Sequence, residues 1–199
     1  ALELYDKLDL ITDSKALGKA MEDLSGEMYA NTTRRMEDIS DIFADSLEVL
    51  QNSENNTKES VKINVIAGKG KTTENRNGIL PYDYNSVGVL ALREVERTYR
   101  HTFGYSLGYL RTDFQFEDTN DEDEANTIQL GVHNKYKTEG WEFRTDLLGR
   151  IGFNNTDREI EWNTGDVSKM SGDYNTYGAA LLNEISKDLE IRKNIKIVP

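Results

Sequence analysis

Cysteine is absent from this chain of 199 residues. Without thiols the chain forms no disulfide framework, no thiol nucleophile and no cysteine-based metal site. Long apolar runs are absent as well: no stretch approaches the roughly 20 apolar residues of a membrane-spanning helix, and the mean hydropathy is −0.68. These absences still permit membrane-spanning strands, because such strands carry apolar residues only at alternate positions.

Histidine is also scarce, and basic residues are outnumbered by acidic ones. The two histidines, His101 and His133, are far apart in the sequence and fall on opposite strand faces, so a histidine metal site is not expected. The 36 acidic residues exceed the 24 basic ones, and the net charge of −12 argues against a nucleic-acid partner. No nucleophile-elbow, nucleotide-binding or metalloprotease motif is present. We therefore predict no enzymatic activity, no cofactor and no metal.

The segment from Tyr99 to Arg111 has the most informative pattern. Aromatic or apolar residues alternate there with small or polar residues, which predicts a strand with one apolar and one polar face. A strand that crosses a bilayer needs about 9–11 residues, with aromatic residues near both interfaces. The predicted membrane-interface aromatics are Tyr99, Tyr105, Tyr109 and Trp141. The alternative is a cross-strand aromatic core in a soluble β-sandwich.

Period-two alternation continues from residue 60 to the end of the chain. It predicts seven strands, at residues 61–69, 85–94, 98–112, 126–137, 141–153, 173–186 and 189–198. Their connections alternate between long polar segments, at 70–84, 113–125 and 154–172, and short ones, at 95–97, 138–140 and 187–188. Outer-membrane barrels have long external loops and short periplasmic turns, so this sorting favours a barrel whose first strand runs outward.

The first fifty residues have a helical period instead, with an expected break or kink at Ser25-Gly26, and a polar segment from Gln51 to Glu59 follows. The second helical run places acidic residues on one face: Asp38, Asp41, Asp45 and Glu48. Basic residues on the polar strand faces are predicted to face the barrel lumen: Arg100, Arg144, Arg150 and Arg192. Two interpretations stay open: pairing of these acids and bases inside a lumen, as between Asp41 and Arg144, and a solvated acidic face.

Several motifs follow one another in order along the chain. The first is the helical segment Leu24-Ser25-Gly26-Glu27-Met28-Tyr29-Ala30. The others are early-strand motifs: Gly88-Val89, then Thr102-Phe103-Gly104-Tyr105-Ser106-Leu107-Gly108-Tyr109, then Thr112-Asp113-Phe114. Together they resemble the translocator domain of autotransporters, which act in type V secretion, and the resemblance covers nearly the entire chain.

The resemblance implies a mainly β fold, an antiparallel up-and-down transmembrane β-barrel preceded by an N-terminal helical linker or plug. The barrel would be incomplete, with about seven of the family's roughly twelve strands. Residues 1–59 would form the linker and residues 60–199 the N-terminal part of the barrel. The chain opens without a signal-peptide pattern, so an exported protein would carry it as an internal piece of a longer precursor.

The implied function is to anchor and export an N-terminal passenger domain at the cell outer membrane. The implied partners are the lipid bilayer, the chain's own passenger and the barrel-assembly machinery. Open sheet edges would also allow such a fragment to self-associate. The alternatives are another outer-membrane barrel, such as an adhesin or a pore, and a soluble helix-plus-β binding module, which would be monodisperse without detergent.

Two further segments permit more than one interpretation. Arg34-Arg35-Met36-Glu37-Asp38 resembles the helix of autotransporters that cut themselves between two adjacent asparagines. The corresponding pair here is Ala30-Asn31, and alanine has no side-chain amide to cyclise, so we predict no self-cleavage at this point. The acidic segment Glu117 to Glu124 could be a calcium loop, but it lacks EF-hand spacing, which favours a solvated external loop.

Overall fold

The computed structural model describes residues 2–54, 57–72, 80–117, 119–162, 167–187, 189–192 and 195–197. The helical elements are α1 (Leu2–Asp9), α2 (Ser14–Ser25), a 3₁₀ turn (Glu27–Asn31) and α3 (Thr32–Asn52). The strands are β1 (Glu59–Lys71), β2 (Tyr82–Thr98), β3 (His101–Phe116), β4 (Glu122–Thr138), β5 (Trp141–Glu161), β6 (Val167–Lys187), β7 (Leu189–Arg192) and β8 (Ile195–Ile197). Within these ranges, no helix is both long enough and apolar enough to span a membrane.

Strands β1 to β6 form one antiparallel sheet in chain order. Each strand pairs with the next along most of its length, as β1 pairs with β2 from Glu59–Val95 to Lys71–Asp83. The outer face of the sheet carries exposed apolar side chains at alternate positions, among them Val61, Ile63, Val65, Leu107, Leu130 and Leu147. The first six predicted period-two strands and their meander order are therefore confirmed.

The strands extend beyond their predicted bounds at the end of the sheet with the long connections. β5 continues to Glu161 and β4 begins at Glu122, so part of the sequence assigned to polar loops is paired strand. A ladder uses backbone N–H and C=O groups, and it continues past the last apolar residue wherever a partner strand continues. Polar composition marks the end of the apolar outer face, not the end of the sheet.

The last predicted strand, at 189–198, differs from the structure. Strands β7 and β8 pair with each other in a separate hairpin, and in the described part of the chain the main sheet ends at β6. Alternation predicts a strand but does not identify its partner, and two short segments can satisfy their backbone groups by pairing together.

The turn between β2 and β3 also differs from the prediction. Thr98 pairs with His101, which leaves Tyr99 and Arg100 as a two-residue turn instead of the start of a strand. The ladder shifts its register between Glu96 and Thr98, just before this turn. Two-residue loops are the commonest hairpin connections, and their residues follow turn geometry even where the sequence alternates.

The predicted break at Ser25-Gly26 is confirmed. Gly26 ends α2 in the left-handed conformation, at φ 73°, which glycine adopts without steric cost. The chain then passes through the 3₁₀ turn into α3. Ahead of this break, Ala20 of α2 packs against Ile160 and Trp162 near the end of β5.

Polar contacts attach α2 to the same end of β5. Lys19 Nζ lies 2.5 Å from Glu161 Oε2, and this hydrogen bond raises the pKa of Lys19. Asp23 accepts a 3.3 Å hydrogen bond from the backbone N–H of Glu161, while partial burial raises the pKa of its carboxyl group. Arg158 donates to the backbone carbonyl of Asp23. Helix α2 therefore lies at the end of the sheet with the long connections.

Candidate functional site

Helix α3 lies against the inner face of the sheet and defines the candidate site. Its buried apolar side chains are Ile39, Phe43, Leu47 and Leu50. They belong to one cluster with strand residues that include Leu90, Leu92, Leu110 and Leu148. Burying a large apolar side chain contributes about 1.5–3 kcal/mol, so this face alone attaches the helix firmly to the strands.

Gly108 of β3 allows α3 to approach the sheet closely. A Cβ atom at this position would lie 2.6 Å from Phe43 Cε1 and 2.8 Å from Leu90 Cδ1. Both separations are shorter than van der Waals contact, so a side chain here would displace the helix or the leucine. The glycine in the motif Gly108-Tyr109 is therefore explained by packing.

Helix α3 runs from the long-connection end of the sheet to the short-turn end. Just before the helix, Asn31 Nδ2 donates a 2.5 Å hydrogen bond to the carbonyl of Leu80, close to the start of β2. At the other end, Asn52 Oδ1 accepts a 2.8 Å hydrogen bond from Arg144 Nη1, close to the start of β5. The chain therefore passes along the sheet before it enters β1 at Glu59.

A buried ion pair attaches the first turns of α3 to the sheet. Arg35 donates to Asp123 Oδ2 of β4, and the two side chains are only 3% and 2% exposed. Asp123 also accepts hydrogen bonds from Thr156 Oγ1 at 2.9 Å and from Tyr174 Oη at 2.7 Å. Buried charges of this kind are tolerated when they are paired and hydrogen-bonded, and both conditions are met here.

A hydrogen-bonded relay attaches the last turn of α3. Gln51 Nε2 donates to Asp146 Oδ1 at 3.0 Å, and the same oxygen lies 2.8 Å from His133 Nδ1. His133 Nε2 lies 2.7 Å from Ser106 Oγ. With an ionised Asp146, this network assigns the proton of a neutral His133 to Nδ1, so that Nε2 accepts from the serine hydroxyl. Three adjacent strands and the helix thus share one buried network.

Cationic side chains close the C-terminal end of α3. Lys62 Nζ donates to the carbonyl oxygens of Leu50 and Ser53, at 2.8 and 2.7 Å. The same nitrogen donates to Glu94 Oε2 at 2.8 Å, and Lys135 Nζ lies 3.5 Å from Glu94 Oε1. The last carbonyls of a helix lack intrahelical donors and carry partial negative charge, so cations stabilise this end.

The predicted acidic face of α3 lies mainly on the side away from the strands. Asp41, Asp45 and Glu48 are exposed, whereas Asp38 is half-buried and accepts a 2.5 Å hydrogen bond from Tyr82 Oη. In the described part of the chain, none of these acids forms an ion pair with a strand arginine. The amphipathic pattern of the helix explains this result. Its apolar face packs against the sheet, so the acidic residues lie mainly on the opposite side.

Arg144 and Arg150 both lie on β5, on the side that faces α3, but in the described part of the chain neither forms an ion pair with the predicted acidic face. Arg144 lies 2.5 Å from Glu142 and 3.5 Å from Glu184, so its carboxylate partners are on its own and the neighbouring strand instead of at Asp41. Arg150 lines a cavity of about 220 Å³ between α3 and strands β4 to β6. Its Nη1 atom is buried and has no hydrogen-bond partner in the described part of the chain.

The other two predicted lumen arginines do not lie on the inner face of the described sheet. Arg100 is exposed in the β2–β3 turn, where its Cζ atom lies 5.0 Å from the centroid of the Tyr99 ring. Its assignment to the lumen was wrong because β3 begins only at His101, so Arg100 lies in the turn and not on a strand face. Arg192 belongs to the β7–β8 hairpin, and its side chain lies outside the described residues.

The predicted interface aromatics are all exposed. Tyr105, Tyr109 and Trp141 lie on the outer face of the sheet, and Tyr99 lies in the β2–β3 turn. Tyr109 Oη donates a 2.6 Å hydrogen bond to Asn126 Oδ1 on the neighbouring strand. Aromatic rings with a polar tip on an apolar surface are typical of bilayer interfaces, and their depth in the bilayer stays a prediction.

The acidic segment 117–124 is not a solvated loop throughout. Residues from Glu122 onward belong to β4, Asp123 is buried against Arg35, and Asp121 is buried 3.6 Å from Arg158. In the described part of the chain, no cluster of carboxylates and histidines has the geometry to hold a metal ion. The acidic sequence of this segment could not reveal these ion pairs, because their basic partners, Arg35 and Arg158, are distant along the chain.

The residues that attach α3 were therefore mostly missed at the level of sequence. Alternation correctly placed His133 and Asp146 on polar strand faces and predicted opposite faces for the two histidines, as His133 is buried and His101 exposed. What the sequence does not contain is the register between strands, which aligns Ser106 with Gly131, and His133 with Asp146. That register depends on hairpin geometry and brings the relay together only after folding.

Replacing His133 with alanine is expected to lower the free energy of unfolding by about 1–3 kcal/mol, because it leaves Asp146 and Ser106 buried without one partner each. Equilibrium urea unfolding in lipid vesicles, followed by tryptophan fluorescence, measures this loss. His101 is the matched control: it is exposed and its ring lies 2.6 Å from Asn134 Oδ1. His101→Ala should change the same quantity by less than about 0.5 kcal/mol, and equal losses for both variants would contradict the relay.

The long antiparallel meander, the apolar outer face and the helix against the inner face define an outer-membrane β-barrel protein. The chain belongs to the autotransporter beta-domain family, whose model matches residues 61–199. The domain of this family is a transmembrane barrel of the outer membrane with a translocator role in type V secretion. Nothing among the curated proteins matches the chain.

Proposed function

We propose that this chain anchors an N-terminal passenger domain in the outer membrane and exports it, with α3 as the segment that joins passenger and barrel. The observation that carries the proposal is the path of α3. The helix follows the inner face from the long-connection end to the short-turn end and leads into β1. Short turns are periplasmic in outer-membrane barrels, so a passenger ahead of α2 would lie on the outside.

The proposed partners follow from this role. They are the lipid bilayer around the apolar outer face, the passenger itself and the barrel-assembly machinery that inserts such domains. Within the described sheet, β1 and β6 each pair along one edge only. Unpaired strand edges offer backbone donors and acceptors to further strands, so these edges are also the proposed place for self-association.

We propose a physical rather than a catalytic role, although Ser106, His133 and Asp146 are linked in the order of a hydrolase triad. A hydrolase also needs free N–H donors for the oxyanion of its intermediate. Here Ser106 lies on a strand that is paired on both sides, so its backbone groups belong to the sheet. Gln51 of α3 completes the network, which supports a role in holding the helix.

Surface display tests export. A small folded reporter fused ahead of residue 1 should become accessible to protease added to intact Gram-negative cells, while the barrel residues stay in the outer-membrane fraction. A reporter that remains inaccessible although the barrel is inserted would contradict export by this chain.

Disulfide trapping tests the position of α3, and the absence of native cysteine makes an introduced pair unambiguous. Ser46 Oγ lies 2.9 Å from Asn64 Nδ2 of β1, so Ser46→Cys with Asn64→Cys should form a cross-link in the membrane. The matched control is Glu48→Cys with Asn64→Cys, because Glu48 is exposed and lies about 200° around the helix from Ser46. Cross-linking of the control but not of the first pair would refute the proposed position.

A further inference from the structure

The outer face of the sheet carries a group of aromatic side chains at its short-turn end. Tyr99 and Trp141 are 78% and 40% exposed, and Tyr136 and Phe143 are exposed nearby. These residues come from adjacent elements: His101 pairs with Tyr136, and Thr138 pairs with Trp141. Such rings lie at the level of lipid headgroups when a barrel is embedded in a bilayer.

Cationic side chains lie on two of these rings. Arg100 Cζ is 5.0 Å from the centroid of the Tyr99 ring, and Lys187 Nζ is 4.7 Å from the centroid of the Trp141 ring. The register places Lys187 directly opposite Trp141 on the neighbouring strand. A cation–π contact orients a cation without neutralising its charge, so the charge stays available to an anion.

These cations differ in their pairing from several exposed cations at the other end of the sheet. In the described part of the chain, Arg97, Arg100 and Lys187 have no carboxylate within ion-pair distance. At the long-connection end, three exposed cations do have such partners: Lys71 with Asp83 and Glu117, Arg111 with Asp113 and Glu124, and Lys169 with Glu159. Lys69, which is also exposed at that end, has no such partner in the described part of the chain. What the short-turn end has in particular is unpaired cations that lie on exposed aromatic rings.

We infer that the aromatic–cation rim, formed by Arg97, Tyr99, Arg100, Trp141 and Lys187, binds the phosphate groups of anionic phospholipids in the leaflet at the short-turn end. The aromatic rings hold the rim at the level of the lipid headgroups, and the unpaired cations supply the positive charge that attracts a phosphate group. The inference rests on the membrane location of the barrel and is independent of passenger export.

Fluorescence quenching of Trp141 measures this binding directly. The chain has two tryptophans, and Trp162→Phe leaves Trp141 as the single tryptophan, which is excited selectively at wavelengths that tyrosine does not absorb. The protein is reconstituted into phosphatidylcholine vesicles that contain about 20% of a brominated lipid, either phosphatidylglycerol or phosphatidylcholine. The fraction of quenching lipid is therefore the same in both preparations. Each unpaired cation near a membrane surface adds attraction for anionic lipid, so we expect phosphatidylglycerol to be enriched about 3- to 10-fold at the rim.

The variant Arg97→Gln, Arg100→Gln, Lys187→Gln should reduce the enrichment to about 1-fold. The matched control, Lys71→Gln, Arg111→Gln and Lys169→Gln, removes the same number of charges from the other end of the sheet. It should retain the enrichment of phosphatidylglycerol at the rim. Raising the salt concentration from about 0.05 to 0.5 M should weaken the enrichment in the unaltered rim, which tests the inference without these substitutions. Equal quenching by both lipids, or equal loss in both triple variants, would overturn it.

Discussion

Replacing Arg35 with alanine is expected to lower the free energy of unfolding by about 3–5 kcal/mol. The substitution leaves the carboxylate of Asp123 buried at 2% exposure without its cationic partner. It also removes the guanidinium that lies 5.5 and 5.2 Å from the ring centroids of Phe114 and Phe116. Urea unfolding in lipid vesicles measures the change.

The neighbouring Arg34 provides the control for this experiment. It has the same chemistry, but its side chain is 63% exposed and lies 3.8 Å from Asp38. Arg34→Ala should therefore change the free energy of unfolding by less than about 0.5 kcal/mol, as exposed ion pairs do. Arg35→Met with Asp123→Leu removes both buried charges and should recover part of the loss. If Arg35→Ala behaved like Arg34→Ala, the buried pair would not hold the helix.

Truncating Phe43 to alanine should cost about 3–5 kcal/mol, because its ring is fully buried between α3 and the sheet. Gly108→Ala should also destabilise the protein, since its new Cβ would lie 2.6 Å from the Phe43 ring. In the Phe43→Ala background the closer of the two clashes is removed and only the contact with Leu90 Cδ1 at 2.8 Å remains, so the two losses should not add. The double-mutant cycle in urea unfolding should give a coupling of at least about 1 kcal/mol.

Val49→Ala is the control for Phe43, because Val49 lies on the same helix and is 59% exposed. We expect it to change the free energy of unfolding by less than about 0.5 kcal/mol. Strictly additive losses from Phe43→Ala and Gly108→Ala would mean that the helix and β3 do not touch at this point.

The strands and their order could be predicted because each depends on a local pattern. Alternation in 98–112 and its neighbours predicts strands whatever lies beside them, and short connections favour pairing between consecutive strands. The outcome at 189–198 marks the limit of this reasoning. The choice between a seventh strand and the β7–β8 hairpin depends on which partner is available, and no local pattern contains that information.

The candidate site was predictable only in part, for a different physical reason. Helical spacing correctly predicted an amphipathic α3, but the prediction assigned its contacts with the lumen to acidic residues. The structure reverses this polarity at the first turns, where Arg35 of the helix meets Asp123 of a strand. Burial of a charge depends on its three-dimensional partner, so Arg34 and Arg35, adjacent in sequence, differ completely in environment.

The length of β5 has a consequence for access to the protein from outside the bilayer. Its exposed apolar side chains end at Phe153, whereas backbone pairing continues to Glu161. At about 3.4 Å per residue, this leaves roughly 27 Å of hydrogen-bonded wall past the lipid-facing part of the strand. A protease needs an extended, unpaired segment to cut, and Arg158 lies within this paired part of β5. Trypsin should therefore cleave at Arg158 much more slowly than at basic residues outside the paired strands.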